Sequence, residues 1–560
     1  MRVLLLLAVL PLAWAVFPAA CNTPDSLSTK TCCPNDCGSH GSCVSIVQNA
    51  SWKGADETIV AIVRFVRPLD HRYQWPTRVF KKVCSCDEGW GGYDCSKCDF
   101  AYIDDGAGGC VKRTSDQLLV RRNFMNLTHQ QQLDYIRVLR EAKNEAEDDR
   151  EWAVVVKEPF NKRNGTFVLQ NVSIFDMLAV ANFLTGRDKD NFNCETFLCP
   201  PEVDFGHKHA GFSTWHRYHL IILETELHRV AKRIGVNDFS LAYWDWRHGE
   251  SLFSYELLGT PEFSPSPVQV NGSLFEDWPV IYDDHYRATL AQLGFGGTPP
   301  PCTSVRELND IEAERLEKHR VERGRLCDRN WIKFLPDDSS IRMCLTERNY
   351  TRINHGLEGF YAYCAGETPP CLGTSLNNMQ GAARIYISGL LRDVPASASD
   401  PLYFLFLANV DRAFEAWMRK WNGNLPAFEP VSGDHPGHNR DNFLVPLFPL
   451  KTNADIYKIS SEFGFKYDSM PWNVTSSTPM PPNCNPPPTT ECDKGGYYPS
   501  VPPLPDFCPP GDFVCPRNST TMTKLPWCKG QKHLLPYCNS RRRWVIWCKN
   551  RQHLPWCQSS

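Results

Sequence analysis

Three features of this 560-residue sequence predict a mainly α fold, in which a helix-bundle core lies between a small disulfide-rich module and a Pro-rich, Cys-rich tail. The first is a group of closely spaced cysteines near the N-terminus. The second is a long central region whose apolar residues recur at helical spacing. The third is a change in composition after about residue 470. Together they predict domain boundaries at 1–16, 17–113, 114–470, 471–523 and 524–560.

Composition and the N-terminus predict a secreted globular protein. With 42% hydrophobic residues, 22% charged residues and a net charge of −3, the chain has no general affinity for nucleic acid. Arg2, the apolar run after it and the pattern Ala13-Trp14-Ala15 predict a signal peptide over 1–16, cleaved near Val16 or Phe17. No later stretch reaches the ~20 apolar residues that a membrane helix needs. We therefore expect an extracellular product without a transmembrane segment.

Cysteine content and glycosylation motifs also favour the secretory pathway. The chain has 25 cysteines, which is typical of an oxidising compartment. Its Asn-x-Ser/Thr motifs predict a glycoprotein. The candidate sites are Asn49, Asn126, Asn164, Asn171, Asn271, Asn349, Asn473 and Asn518.

Ten cysteines lie between Cys21 and Cys110, and they predict a disulfide-stapled module rather than a metal cluster, because secretion favours oxidation. Within it, Cys84-Ser85-Cys86 and the later Gly92-Tyr93-Asp94-Cys95 resemble the closing half of an EGF-like module. Such modules usually support protein contacts or act as spacers.

Amphipathic segments in the central region predict four helices, over 129–147, 173–185, 213–232 and 401–420. In the last of these, apolar residues such as Leu402 and Phe414 form one face. Asp411, Arg412 and Glu415 lie on the other. The pattern predicts a helical bundle with long loops.

The strongest chemical signal is the stretch 204–217, where His207 in a loop precedes His216 on a helix by nine residues. With the motif Tyr-Trp-Asp-Trp-Arg at 243–247, it resembles the first copper-binding region of tyrosinases, which are type 3 copper proteins. The resemblance is greatest to the vertebrate tyrosinase and tyrosinase-related group. It implies a four-helix-bundle di-copper domain, in which two copper ions, each held by three histidines, bind dioxygen and oxidise phenols. Further segments that carry the resemblance are 32–34, 118–123, 357–360, 399–401 and 437–440.

At the first copper site, His207 and His216 match the second and third ligands of the family. The position of the first ligand is occupied by Asn182, whose amide oxygen is a poor copper ligand. His209 and His219 are candidates for an additional ligand of a single metal ion. The alternative for both is a solvated surface position.

At the second copper site, the family positions carry Asn377, Arg384 and Leu407. A local insertion also allows the first of these positions to align with Gln380. None of these side chains is an imidazole, and a guanidinium offers no lone pair to a metal. The resemblance therefore predicts that binuclear copper is lost, with no metal cofactor or at most one copper. His355 and His438 fall at positions that are not ligands in the family, and we expect surface or structural roles for them.

Three functions remain open. The first is a secreted glycoprotein with a non-catalytic binding or structural role, a pseudoenzyme whose partner is an unknown protein or a small phenolic ligand. The second is a copper-dependent oxidoreductase, a monophenol or diphenol oxidase of the melanin type, which needs two copper ions. The third is a carrier of cationic C-terminal peptides. The tail over 524–560 repeats a basic, Trp-rich and Cys-rich motif that suits anionic membrane surfaces, and Arg541-Arg542-Arg543 resembles a proprotein-cleavage site.

Overall fold

The computed structural model describes part of the chain. The described residues are 16–46, 80–158, 166–185, 205–207, 209–246, 268–269, 273–280, 322–323, 341, 345, 348, 350, 353, 380, 383–384, 387, 389–392, 394, 396–421, 427–428 and 437–471. The predicted signal peptide before Val16, the linker and tail after residue 471, Asn377 and His355 lie outside them. So do six of the predicted glycosylation sites, namely Asn49, Asn164, Asn271, Asn349, Asn473 and Asn518.

The described residues form six α-helices and fourteen strands, numbered in chain order. The helices are α1 (Pro24–Thr29), α2 (His129–Lys143), α3 (Ile174–Thr185), α4 (Phe212–Arg233), α5 (Leu402–Lys420) and α6 (Asn453–Ile456). The strands are β1 (Val16–Pro18), β2 (Thr31–Cys32), β3 (Gly41–Ser45), β4 (Lys82–Cys86), β5 (Trp90–Gly91), β6 (Lys97–Cys98), β7 (Tyr102–Asp104), β8 (Cys110–Lys112), β9 (Leu119–Arg121), β10 (Trp152–Glu158), β11 (Thr166–Val172), β12 (Val268–Gln269), β13 (Glu322–Arg323) and β14 (Phe465–Tyr467). Short 3-10 helices occur at Ala19–Cys21, Pro34–Cys37, Phe124–Asn126, Glu147–Asp149, Gly389–Arg392, Ser397–Ser399 and Ser460–Phe463.

The N-terminal cysteines form disulfides, as predicted. The pairs are Cys21–Cys32, Cys33–Cys43, Cys37–Cys84, Cys86–Cys95 and Cys98–Cys110. They staple a small sheet in which β4 lies between β2 and β3, together with the two-stranded pairs β5–β6 and β7–β8. Cross-links replace part of the stabilisation that such short strands cannot obtain from an apolar core.

A three-stranded antiparallel sheet, β1–β10–β11, was not predicted. Val16 pairs with Val154, and Val154 pairs in turn with Gln170. The run of valines at 154–156 is a β-forming signal in the sequence, since β-branched side chains favour strands. Because Val16 and Phe17 are fully buried in this sheet, the predicted cleavage point adjoins the start of a core strand.

The four predicted helices are present as α2, α3, α4 and α5. Helix α2 begins with a capping box, in which Thr128 accepts from the backbone N–H of Gln131 and the Gln131 side chain accepts from the N–H of Thr128. It ends at Lys143, four residues earlier than predicted, because Asn144 leaves the helical conformation. The spacing of apolar residues predicts that a helix is present, whereas its last residue depends on where the backbone leaves the helical conformation.

Helix α4 lies at the centre of the described core, where it packs against α2, α3 and α5. It buries residues on nearly every side, including Trp215, Leu220 and Leu223. Among the described residues, no helix is both long and apolar enough to cross a membrane.

Candidate metal centre

Two histidines from the strongest sequence motif lie together on one side of α4. The rings of His207 and His216 are 4.8 Å apart between centroids and nearly perpendicular, and both side chains are buried. The Nδ1 of His216 lies 2.8 Å from the carbonyl oxygen of Phe212, one turn earlier. Since a carbonyl only accepts, Nδ1 carries the proton and the lone pair of the neutral ring is on Nε2. This tautomer is the one that suits a metal ligand bound through Nε2.

The start of α4 is held in place by His438. The backbone N–H of Gly211 donates to Nδ1 of His438 at 2.9 Å, and His438 is fully buried. A Cβ atom on Gly211 would lie 2.8 Å from the same nitrogen, so this close approach requires glycine. His438 therefore has the structural role expected for it. His209 is half-buried, and its ring lies 5.1 Å from that of His438.

His219 is fully buried, so the predicted alternative of a solvated position is wrong for this residue. Its Nε2 donates to the carbonyl oxygen of Leu178 in α3 at 3.1 Å. The Nδ1 atom finds no hydrogen-bond partner among the described residues. Burial, with a smaller contribution from His207, lowers the pKa of His219 to about 3. The prediction of a solvated position for His219 was wrong because α3 and α5 cover this part of α4.

Asn182, at the first family ligand position, is fully buried and joins three parts of the fold. Its Nδ2 donates to the carbonyl oxygen of Val394 at 2.8 Å. Its Oδ1 accepts from the hydroxyl of Tyr403 in α5 at 3.1 Å. The amide therefore connects α3 with α5 and with the segment that precedes the 3-10 helix Ser397–Ser399.

Two positions of the second family site lie among the described residues. Arg384 is buried, and its Nε donates to the carbonyl oxygen of Leu391 at 2.6 Å. Leu407 is fully buried in α5 beside Phe406, which is equally buried. Gln380 is also fully buried, and neither atom of its amide has a hydrogen-bond partner among the described residues.

A three-ligand metal group that includes these histidines is not found in the described part of the chain. The group of His, Cys, Asp or Glu residues whose ligand atoms all lie within 4.8 Å of one another consists there of Cys33, Cys37 and Cys84. All three of these cysteines are in disulfides. Neither His209 nor His219 therefore completes such a group with His207 and His216.

A buried ion network lies on the neighbouring face of α4 and was missed from the sequence. Arg217 donates to Asp411 at 2.6 Å and to Glu415 at 3.1 Å. Arg121 of β9 pairs with Glu224 at 2.7 Å and with Asp411 at 3.1 Å. The amphipathic pattern of 401–420 suggested a polar outer face, yet Asp411 and Glu415 are buried because α4, β9 and β14 cover them. Arg121 lies in the segment 118–123, which resembles the tyrosinase family but gave no sign of a buried ion pair.

The comparisons with known proteins agree with the resemblance. A sequence model of the common central domain of tyrosinase matches residues 174–420, which include His207, His216 and the helices α3, α4 and α5. Tyrosinase of Bos taurus is 27% identical over 496 residues, which cover 83% of this chain and 85% of that protein.

The chain contains the common central domain of tyrosinase.

Other tyrosinase-family proteins match to a similar extent. Tyrosinase of Pelophylax lessonae is 26% identical, with 83% of each chain covered. The 5,6-dihydroxyindole-2-carboxylic acid oxidase of Carassius auratus is 26% identical over 85% of this chain and 87% of its own.

Solved tyrosinase structures are more distant. A recombinant mushroom tyrosinase matches with a TM-score of 0.39 and 15% identity over 66% of this chain, and the match spans 64% of the mushroom chain. Tyrosinase from Burkholderia thailandensis at low pH matches with a TM-score of 0.38 and 15% identity, over 63% of this chain and 75% of its own. The relationship to tyrosinases rests on the sequence matches and not on these scores.

Proposed function

We propose that this chain is a secreted glycoprotein of the tyrosinase family that has lost binuclear copper oxidase activity and has a non-catalytic binding or structural role. The observation that carries the proposal is the environment of Asn182. Where the family resemblance places an imidazole, this chain has an amide whose donor and acceptor are both used by the protein, at Val394 and Tyr403. A hydrogen-bonded amide is a weak ligand for copper, which prefers imidazole nitrogen in such sites.

The second family site supports the same proposal. A guanidinium such as that of Arg384 has only donors, and its positive charge opposes a dication. The aliphatic side chain of Leu407 has no lone pair. The residues described at these positions do not fit a binuclear copper centre, so we derive no oxidation step through one.

A mononuclear site is the most that the first family positions support. His207 and His216 provide two imidazoles, and the tautomer of His216 is suitable. We propose that the chain holds no metal or at most one copper ion, bound weakly through this pair. A protein partner or a small phenolic ligand would then replace the oxidation reaction as the basis of its role.

The remaining parts of the proposal concern architecture and processing. We propose that α2, α3, α4 and α5 form the four-helix bundle of the family, with an EGF-like module before it and the basic Trp-rich tail after it. Glycosylation at Asn126 fits its exposed position. Asn171 is half-buried and accepts a hydrogen bond from Asn22, which makes it a poorer acceptor for a glycan. Cleavage of residues 1–16 and secretion complete this proposal.

The experiment is a measurement of copper per chain after copper loading and dialysis, with the absorption spectrum recorded under oxygen. Bos taurus tyrosinase, loaded in parallel, is the positive control. We expect at most one copper per chain, no peroxide-type band and no diphenol oxidation. Any bound copper should be lost in His216→Ala and retained in His209→Ala.

Two coppers per chain with a peroxide-type band and diphenol oxidation would overturn the proposal. That result would support the alternative of a copper-dependent phenol oxidase, the activity named for the mammalian and amphibian relatives. The carrier alternative concerns residues beyond 471, and intact mass measurement of the secreted chain tests it.

A further inference from the structure

A cavity of about 710 Å³ lies between the disulfide-rich segment and the helical core. Tyr93 and Lys97 contribute to its wall from the disulfide-rich segment, and Ile222 and Glu226 contribute from α4. Its volume falls within the range of roughly 300–1,000 Å³ that is usual for small-molecule sites.

This cavity is separate from the family ligand positions. An α-helix turns by about 100° per residue, so Tyr218 and Thr225 of the cavity wall lie on roughly the opposite side of α4 from His216. Both Tyr218 and Ile222 line the cavity, whereas neither His216 nor His219 does. Binding in this cavity therefore does not depend on whether the chain holds copper.

The cavity wall contains a buried carboxylate with unused acceptor capacity. Glu226 is only 7% exposed, and its Oε2 accepts from Nε of Arg229 at 2.9 Å. Its Oε1 receives no hydrogen bond from the described residues. Because the Glu226 side chain is part of the cavity wall, this oxygen can accept from a ligand. Burial and then the charge of Glu151 raise the pKa of Glu226, in spite of Lys97 and Arg229 nearby. An added positive charge at this point would stabilise the ionised carboxylate.

Aromatic side chains line the same cavity. Tyr93 and Trp152 meet edge to face with ring centroids 6.3 Å apart, and Tyr218 contributes a third ring. Trp152 is 3% exposed, and its indole N–H has no acceptor among the described residues. Aromatic faces attract organic cations, and they also bury apolar groups. A carboxylate beside aromatic rings is the combination that recognises an ammonium ion with an apolar body.

We propose that this cavity binds a small organic ammonium ion, whose charge pairs with Glu226 and whose apolar body packs on the aromatic side chains of the wall. The ion pair of Lys97 with Glu151, at 2.9 Å, supports this assignment. The pair neutralises Glu151 near the cavity. The other acids of the wall, Asp87, Glu88, Asp99, Asp455 and Glu462, are more exposed, so Glu226 is the buried carboxylate that can accept the ligand charge.

The test is calorimetric titration of the full-length secreted chain at neutral pH with 2-phenylethylamine and with 2-phenylethanol. The two probes have the same apolar body and differ in the ammonium group. We expect the amine to bind about tenfold more tightly or better, which is the scale of one buried charge-assisted hydrogen bond.

Three variants make the test specific. Glu226→Gln keeps an acceptor for Arg229 but removes the charge, so the preference for the amine should disappear. Asp238→Asn removes a carboxylate that is outside the cavity and 75% exposed, and the preference should remain. Thr225→Trp places a large side chain on the wall and should abolish binding of both probes.

The proposal is overturned by equal affinity for the two probes, by no binding of either, or by an unchanged preference in Glu226→Gln. Thermal unfolding of each variant shows whether it folds. If Glu226→Gln does not fold, two results decide whether the amine binds in this cavity. These are the preference of the unmodified chain for 2-phenylethylamine over 2-phenylethanol and the loss of binding in Thr225→Trp.

Discussion

Helix α5 passes through two buried regions of different character. Towards its C-terminal half, Asp411, Arg412 and Glu415 are buried among cations and anions from α4, β9 and the segment at Asp245. Towards its N-terminal half, Tyr403 and Leu407 are fully buried, and the Tyr403 hydroxyl donates to the neutral amide of Asn182. The first region is held by charge pairs, and the second by one amide and by apolar packing.

The two regions differ in the free energy of folding that is lost when one interacting side chain is removed. A buried charge without its partner is strongly unfavourable, so the ion network depends on every member being present. A neutral hydrogen bond contributes much less, so the region around Asn182 can accept substitutions more easily. This contrast is a physical reason for the proposed loss of copper ligands beside a core that contains buried charge pairs.

The largest effect is expected for Arg217→Met, which removes the shared cation of Asp411 and Glu415. Both acids would remain buried without it, and we expect a loss of about 3–5 kcal/mol in the free energy of unfolding. The measurement is urea unfolding followed by tryptophan fluorescence.

Arg122→Met is the control for this variant, because Arg122 pairs with Asp238 on the surface, where the two side chains are 36% and 75% exposed. Its expected loss is about 0–1 kcal/mol. Similar losses in the two variants would show that the buried network has no special role.

A smaller effect is expected for Asn182→Leu, which keeps the approximate volume of the side chain and removes its polar atoms. The Val394 carbonyl and the Tyr403 hydroxyl would each lose a partner, and we expect a loss of about 1–3 kcal/mol. Combining it with Tyr403→Phe should cost less than the sum of the two single changes, because the hydroxyl is then absent. Additive losses in this double-mutant cycle would contradict a direct link between α3 and α5.

The effect that is smallest near neutral pH is a change in the pH dependence of stability in His219→Gln, because it develops only below about pH 6.5. In the folded chain the pKa of His219 is lowered from 6.5 to about 3. Between these values the unfolded chain binds more protons, so stability falls as the pH drops from 6.5 towards 3, by up to about 1.4 kcal/mol per pH unit.

Glutamine can still donate to Leu178 but does not titrate, so the variant should lose this part of the pH dependence. His129→Gln, at an exposed position, is the control and should keep the slope of the unmodified chain. Equal slopes in the two variants would place the acid sensitivity elsewhere.

Local patterns in the sequence were sufficient for the four longer helices, α2 to α5, and for the presence of N-terminal disulfides, whereas the short helices α1 and α6 were not predicted. The apolar spacing of 213–232 predicted α4 to within one residue at each end, because periodicity reflects the geometry of a single helix. The number and spacing of the cysteines predicted a stapled module. The three-stranded sheet was missed because its strands are separated along the chain, although the valine run at 154–156 was a visible signal.

The sequence by itself predicted which residues stand at the family ligand positions, because that prediction follows from motif and order. Tertiary structure decided what those residues do. Asn182 and Tyr403 are 221 residues apart, and only folding brings the amide to the hydroxyl. The burial of His219, the charge pairs of Arg217 and the cavity beside Glu226 likewise depend on surfaces contributed by distant segments. No local pattern encodes such contacts, since each depends on how separate elements pack together.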